Sequence, residues 1–201
     1  ITSHTGESSR TGTITVAGQT FTIIQSGTKA SYETVQKAYI GYYQRPADPA
    51  GLIWWANALG NTGGSLASII EAFANSIESQ ALYGEINSGN IASVIEAIYQ
   101  ALFNRAADTA GRDWYVAEFN KGAFTAATIM LNVLYGAQND DLVTLNNKLT
   151  ASNLFTKTID PELDGASFQA VYAGDADAVV ARYFLNLVSS AYSTIPTQSQ
   201  I

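Results

Sequence analysis

The chain has 201 residues, 47% hydrophobic and only 13% charged, with 10 Lys and Arg against 17 Asp and Glu. A net charge of -7 leaves no basic face to displace phosphate counterions, which argues against nucleic acid. The absence of cysteine excludes disulfides, thiolate metal sites and a cysteine nucleophile.

In chain order, residues 11–25 read as a β-hairpin. Ile14 and Val16 alternate with Thr13 and Thr15, a turn follows at Ala17-Gly18-Gln19, and Phe21 and Ile23 then alternate with Thr20 and Thr22. A lone hairpin with an apolar face is marginal in water, so Ile14, Val16, Phe21 and Ile23 form a candidate assembly surface. Ser26-Gly27-Thr28 reads as a linker. From residue 31 the period becomes 3.6: Tyr32, Val35, Tyr39, Tyr42 and Tyr43 share a broad face that ends near Gln44.

Asp48-Pro49 opens a second helix, with Asp as N-cap and Pro at the first helical position. Leu52, Trp54, Trp55 and Leu59 form its stripe, and Gly60 closes it. Ser65 is expected to cap a third helix carrying Leu66, Ile69, Ile70, Phe73 and Ile77, followed by a loop over residues 84–89. A second round follows. Ile91, Val94, Ile95, Ile98, Tyr99 and Leu102 make a helix, Asp108 caps one with Trp114, Tyr115 and Phe119, and Thr125 starts one with Ile129, Met130, Val133 and Leu134. Further helices are expected over 140–157, 161–173 and 175–192, the last capped by Asp175, with a frayed tail from Ser193.

The two rounds share the motif R-x-A-D-x-A-G-x-x-W at residues 45–54 and 105–114. A shift of 60 residues superposes Tyr39 on Tyr99, Arg45 on Arg105, Ala47 on Ala107 and Asp48 on Asp108. The same shift superposes Ala50 on Ala110, Gly51 on Gly111 and Trp54 on Trp114. A fixed spacing held over so many identities marks an internal tandem repeat. The expected fold is mainly α, a two-copy helical repeat bundle over 29–201 with a short N-terminal β-hairpin within 1–28.

Two uses of the motif compete. As a site, each Arg–Asp pair would bind a ligand, with Trp54 and Trp114 as stacking platforms for sugar rings. As a scaffold, Asp48 and Asp108 cap helices and Gly51 and Gly111 keep the first turn slim. Arg45 and Arg105 then bond the preceding helix's carbonyls or the capping carboxylate, and Trp54 and Trp114 face the core. The scaffold reading accounts for every position. It leaves Trp55 and Tyr115, one step away, as the aromatics expected at the surface and as candidate sugar-binding residues.

Catalytic constellations are not recognisable. His4 is the single histidine, so neither a Ser–His–Asp triad nor a two-His zinc site can be built. Asp140 with Asp141, and Glu162 with Asp164, read as helix-start charges. Asp175-Ala-Asp177 lacks the further oxygen ligands of a calcium loop. No cofactor and no metal are expected. No apolar run approaches the roughly 20 residues of a membrane span. Opening on Ile1 without Met or a leader, the chain reads as a processed form or a piece of a longer protein.

The segment Tyr39-x5-Arg45-x-x-Asp48-x-x-Gly51-x-x-Trp54-Trp55 and its second copy resemble the bacterial domain-of-unknown-function family 4214. Residues 154–156, 172–175 and 181–182 resemble that family's C-terminal part. The resemblance covers about residues 31–192 and implies a helical module of large secreted proteins, including S-layer, adhesin-like and calcium-binding repeat proteins, without a catalytic residue to carry over. Residues 9–25 resemble the last two strands of a BACON-type or related immunoglobulin-like domain, so 1–28 is either a hairpin arm or the remnant of such a domain. The expected function is a non-catalytic structural or interaction module at the cell surface or outside the cell, of S-layer, adhesin or filament type. It would assemble through its hairpin with further copies of itself or with other domains of a larger protein. The alternative is a carbohydrate-binding module that tethers a larger protein to polysaccharide.

Overall fold

The computed structural model describes residues 10–25, 28–61 and 66–201; Ser65 and the linker residues Ser26 and Gly27 lie outside them. Strands β1 (Arg10–Val16) and β2 (Gln19–Gln25) pair antiparallel. Ala17 and Gly18 both have positive φ, at 51° and 78°, the two-residue geometry whose twist suits flanking strands. Gln19 therefore belongs to β2, opposite Val16, and the turn is one residue shorter than expected. Ile14 faces Phe21 across the ladder and Gly12 faces Ile23, while Thr13 opposes Thr22 and Thr15 opposes Thr20. One face is thus apolar and the other threonine. Ile14, Val16 and Phe21 are exposed, and Ile23 is half-buried.

Helix α1 (Thr28–Ala38) runs into a π-helical turn at Tyr39–Tyr43, all five residues of which are buried. Gln44 ends it in the left-handed region at φ 58°. Helix α2 (Pro49–Asn61) follows the Asp48 cap. The expected third helix is broken into a 3-10 turn (Leu66–Ser68), α3 (Ile70–Ala74) and α4 (Ile77–Tyr83). Ser76 causes the break: its Oγ donates to the Phe73 carbonyl at 2.8 Å and accepts from Ser79 N at 3.1 Å, closing one helix and capping the next. Ile77, expected in the core, begins α4 and is exposed.

The second round gives α5 (Ile91–Phe103), α6 (Thr109–Asn120), α7 (Ile129–Tyr135) and α8 (Asn139–Ile159). No helix forms over 161–173. Asp164 Oδ1 accepts from Ala166 N and Ser167 N, each at 2.8 Å, and Leu163, Gly165 and Gly174 take positive φ, so side-chain-to-backbone bonds replace a helical ladder. Helix α9 (Gly174–Asn186) is shorter than expected. Ala173, not Asp175, stands at its N-cap, and Asp177 Oδ2 accepts from Ala173 N at 2.8 Å. Val179, Val180, Tyr183 and Leu187 lie on its exposed side, whereas Ala178, Ala181 and Leu185 are buried. The tail holds two 3-10 turns, Tyr192–Thr194 and Gln198–Gln200.

The chain is therefore mainly helical with an N-terminal hairpin. The buried apolar side chains of the helices form one cluster that includes Leu52, Phe73, Ile95, Leu102, Ile129 and Leu185. Each stabilises the fold by about 1.5–3 kcal/mol relative to exposure. The long helix α8 lies against α1, α2, α5 and α9 and gives the cluster its spine. The segments that follow the two motif copies differ in length: α3 and α4 have 5 and 7 residues, α7 and α8 have 7 and 21. Among the described residues, no helix is long and apolar enough to cross a membrane.

Candidate functional site

The motif makes the same bonds at both copies. Asp48 Oδ1 accepts from Gly51 N at 2.7 Å and Asp108 Oδ1 from Gly111 N at 2.8 Å, which caps α2 and α6 as expected. Both arginines clamp a carboxylate with two parallel bonds. Arg45 Nε and Nη2 reach Glu78 Oε1 and Oε2 at 2.7 and 2.9 Å, and Arg105 Nε and Nη2 reach Asp141 Oδ1 and Oδ2 at 2.7 and 2.6 Å. Each Arg also donates through Nη1 to the carbonyl of its own next residue, Pro46 or Ala106.

The principal partner was not foreseen. The arginines bond acids in the first turns of α4 and α8 rather than the preceding helix's carbonyls, and the capping carboxylate Asp48 comes no closer to Arg45 than 3.7 Å. Arg45 is the more enclosed, its side chain 12% exposed against 42% for Arg105. Its guanidinium lies over the rings of Tyr39, Tyr43 and Tyr172, whereas Arg105 lies over Tyr99 alone. Burial is the largest single influence and works to lower the Arg45 pKa, but the Glu78 bond together with the electrostatic influence of Tyr172, Glu78 and Tyr39 carries the net shift upward. Glu78 is shared, since Arg182 of α9 donates to its Oε1 at 2.5 Å and, through Nε, to the Tyr43 carbonyl at 2.9 Å. These charges floor a groove of about 460 Å³ between α4 and α9, walled by Ile77, Leu82 and Val179.

Residues outside the motif repeat as well. Gln36 Oε1 accepts from Ala47 N at 3.0 Å, and Glu96 Oε2 from Ala107 N at 3.0 Å. Gln44 and Asn104 both end their helices at positive φ. The last-turn carbonyl next to each is capped from a distant helix: Tyr83 Oη donates to Gly41 O, and Lys148 Nζ donates to Ala101 O. The same 60-residue offset aligns Gln36 with Glu96 and Gln44 with Asn104, by similarity rather than identity, which is why the identities alone do not reveal them. Nothing local marks Glu78, Tyr83 or Lys148, and Asp141 is legible only as a helix-start charge, not as the partner of Arg105.

The aromatic positions are inverted relative to expectation. Trp54 and Trp114 face solvent, 62% and 52% exposed, not the core. Tyr115 is only 7% exposed and donates its hydroxyl to the Asn132 carbonyl, while Trp55 is half-buried against Phe73 at 4.8 Å. Packing onto α1 and α5 turned the second member of each aromatic pair inward. Trp55 and Tyr115 are thus placed as packing residues, and the exposed ring at each copy is the motif's own tryptophan.

Asp141 sits in the first turn of α8 as expected, but Glu162 and Asp164 stand in the turn-rich segment that replaced the expected helix. Among the described residues, no three or more His, Asp or Glu side chains are placed to hold a metal ion. Comparison of the chain with known protein families, curated proteins and solved structures returns no match.

Proposed function

We propose that this chain is a non-catalytic structural or interaction module of a secreted bacterial surface protein, of S-layer, adhesin or extracellular filament type. One observation carries the reading. The charged groups of the repeated motif are spent inside the fold at both copies, Arg45 and Arg105 on carboxylates and Asp48 and Asp108 on helix amides. Side chains so engaged hold helices in register, and the Glu78 carboxylate in the groove between α4 and α9 is itself held by Arg45 and Arg182. The low charged fraction suits an exported surface.

Assembly is assigned to the hairpin. Ile14, Val16 and Phe21 present an apolar face to solvent, and a two-stranded sheet has two unpaired edges able to add to a neighbour's sheet. Donation to an identical neighbour is a heterologous contact, which closes into a ring or extends as a filament. The test compares the full chain with a deletion of residues 1–28 by sedimentation and electron microscopy, alongside immunogold labelling of intact cells. Rings or filaments lost on deletion and label on the cell exterior support the reading; unchanged assembly or label confined to the cytoplasm overturns it.

A further inference from the structure

Once the motif's charges are accounted for, its tryptophan stands out as the member whose ring is left mostly open to solvent at both copies. We infer that Trp54 and Trp114 are two equivalent stacking platforms for the pyranose rings of an uncharged polysaccharide. This goes beyond the reading as a surface module and does not depend on how that module assembles.

Three features of the rings support the assignment. Each is held edge-on by the aromatic that follows it, Trp54 on Trp55 at 4.5 Å and 86°, Trp114 on Tyr115 at 4.9 Å and 75°, and Trp114 also meets Phe124 at 5.7 Å. A ring fixed in this way loses little freedom when a ligand stacks on it. Helical side chains lean toward the N-terminus, so each indole lies over the preceding turn, and there the exposed residue is Ala50 or Ala110. On α2 the exposed line continues from Trp54 to Asn57 and Gly60; on α6 it continues from Trp114 to Ala117, with Asp113 and Glu118 at the flanks of the ring. Neither indole N–H is bonded within the protein among the described residues, which leaves a donor at the ring edge for a hydroxyl.

The surroundings decide among ligand classes. Helix α2 carries no charged residue, and the charges of α6 beside Trp114 are already paired, Arg112 with Asp113 and Glu96, and Glu118 with Lys121. Among the described residues, no unpaired charge beside either ring would hold a cationic side chain or an acidic sugar in place. The exposed neighbours of each ring along its own helix are small or polar, Ala50, Asn57 and Gly60 on α2 and Ala110, Asp113 and Ala117 on α6, not the large apolar side chains that a protein partner's interface requires. A pyranose matches what is present: its axial C–H face covers an indole, and exposed polar side chains, Asn57 one turn after Trp54 and Asp113 next to Trp114, stand near for its equatorial hydroxyls. The motif places one such ring in each copy, and a polysaccharide repeats the same unit along its length, so each polymer carries many places at which either ring can stack.

The test is affinity electrophoresis of the intact chain in gels holding hydroxyethyl cellulose, xylan, laminarin, mannan or dextran. Tryptophan fluorescence titration with cellohexaose and chitohexaose accompanies it. Retardation by at least one of these glycans is expected, weakened about twofold by Trp54→Ala or Trp114→Ala, as for two separate equivalent sites, and abolished in the double variant. Because both rings are exposed, the variants retain their helical circular dichroism, and Trp54→Tyr with Trp114→Tyr, which keeps a ring at each place, retains part of the binding. No binding to any of the seven glycans overturns the assignment, as does binding that survives the double Ala variant. Sedimentation showing a wild-type oligomer that the double variant dissolves gives the rings to a second copy and also overturns it. A failure here leaves the localisation and the hairpin-deletion results intact, so the two proposals are separable.

Discussion

Tyr83 and Lys148 do the same work at the ends of two different helices. Tyr83 donates to the Gly41 carbonyl at 2.9 Å and accepts from Gln44 Nε2 at 2.9 Å; Lys148 donates to the Ala101 carbonyl at 2.5 Å and to Asn104 Oδ1 at 2.7 Å. Each closes a helix terminus whose last carbonyls have no partner of their own. The chemical difference has a consequence: a phenol is neutral at physiological pH and an ammonium is not, and the Lys148 side chain is fully buried.

Burial, with no charged partner against it, pushes the Lys148 ammonium down to about 7. Between that value and the unfolded value near 10.5 the unfolded chain binds more protons than the folded one, so stability rises with pH across this window, by at most about 1.4 kcal/mol per unit. Above about 10 the unfolded tyrosines ionise, while burial holds Tyr39, Tyr42 and Tyr83 protonated in the fold, so the sign reverses and stability falls. Urea unfolding from pH 6.5 to 11 should therefore show a maximum near 10. Lys148→Met should flatten the rise and leave the alkaline fall; a rise that persists in the variant assigns the effect to another group.

Arg45 and Arg105 make matching clamps in different surroundings. Removing an enclosed guanidinium strips Glu78 of its bidentate partner and empties a box of three tyrosine rings, so Arg45→Met should cost about 3 kcal/mol. Arg105 is the more exposed of the two, and Arg105→Met should cost about 1 kcal/mol or less. Equal losses by thermal unfolding would show that enclosure does not separate the two joints. Arg45→Lys should recover little, because an ammonium cannot reproduce the fork.

How the motif could be read so far, and no further, follows from the range of each interaction. The caps at Asp48 and Asp108 need only residues three apart, so they were visible in the string. The arginine partners lie 33 and 36 residues away on helices whose docking depends on the whole core. Trp54 and Trp55 are adjacent on a helix with apolar residues nearly all round, and nothing local says which ring turns inward. The 161–173 segment misled for another reason. Leu163, Phe168, Val171 and Tyr172 look amphipathic, but Pro161, Asp164 and Gly165 favour turns and prevail. On α9 the line Val179, Tyr183, Leu187 has helical spacing and reads as core, yet the buried line is Ala178, Ala181 and Leu185, because the small residues let α9 approach α8 closely.

Gly51 and Gly111 hold the same motif position with unequal room. A Cβ at Gly51 would collide with the Tyr39 hydroxyl, whereas at Gly111 the nearest atom is the capping Asp108 Oδ2 at 3.0 Å, a side-chain end that can shift slightly. Gly51→Ala should destabilise by about 2 kcal/mol. Gly111→Ala should be close to neutral, the gain in helix propensity offsetting a disturbed cap. Tyr39→Phe removes the colliding oxygen together with its 3.4 Å bond to Asp48. In a double-mutant cycle it should rescue at least half the Gly51→Ala loss, and additive losses would place the strain elsewhere.

Asn104 ties the second joint to the C-terminal helix. Its Nδ2 donates to the Asn186 and Val188 carbonyls at 3.0 and 2.7 Å, its Oδ1 accepts from Lys148, and its backbone sits at φ 57°, a region Asn tolerates better than most residues. Asn104→Gly keeps the backbone free to adopt that conformation and removes only the side-chain bonds. Asn104→Ala removes the same bonds and adds left-handed strain of about 1–2 kcal/mol. The glycine variant should leave the core intact while loosening the end of α9, read as amide exchange at least tenfold faster over residues 184–189 with little change in α5. The alanine variant should show that loosening plus a further fall in overall stability. If the glycine variant exchanges like wild type, the end of α9 is held by Val188 in the core and by the Asn147 bond to the Ser189 carbonyl instead.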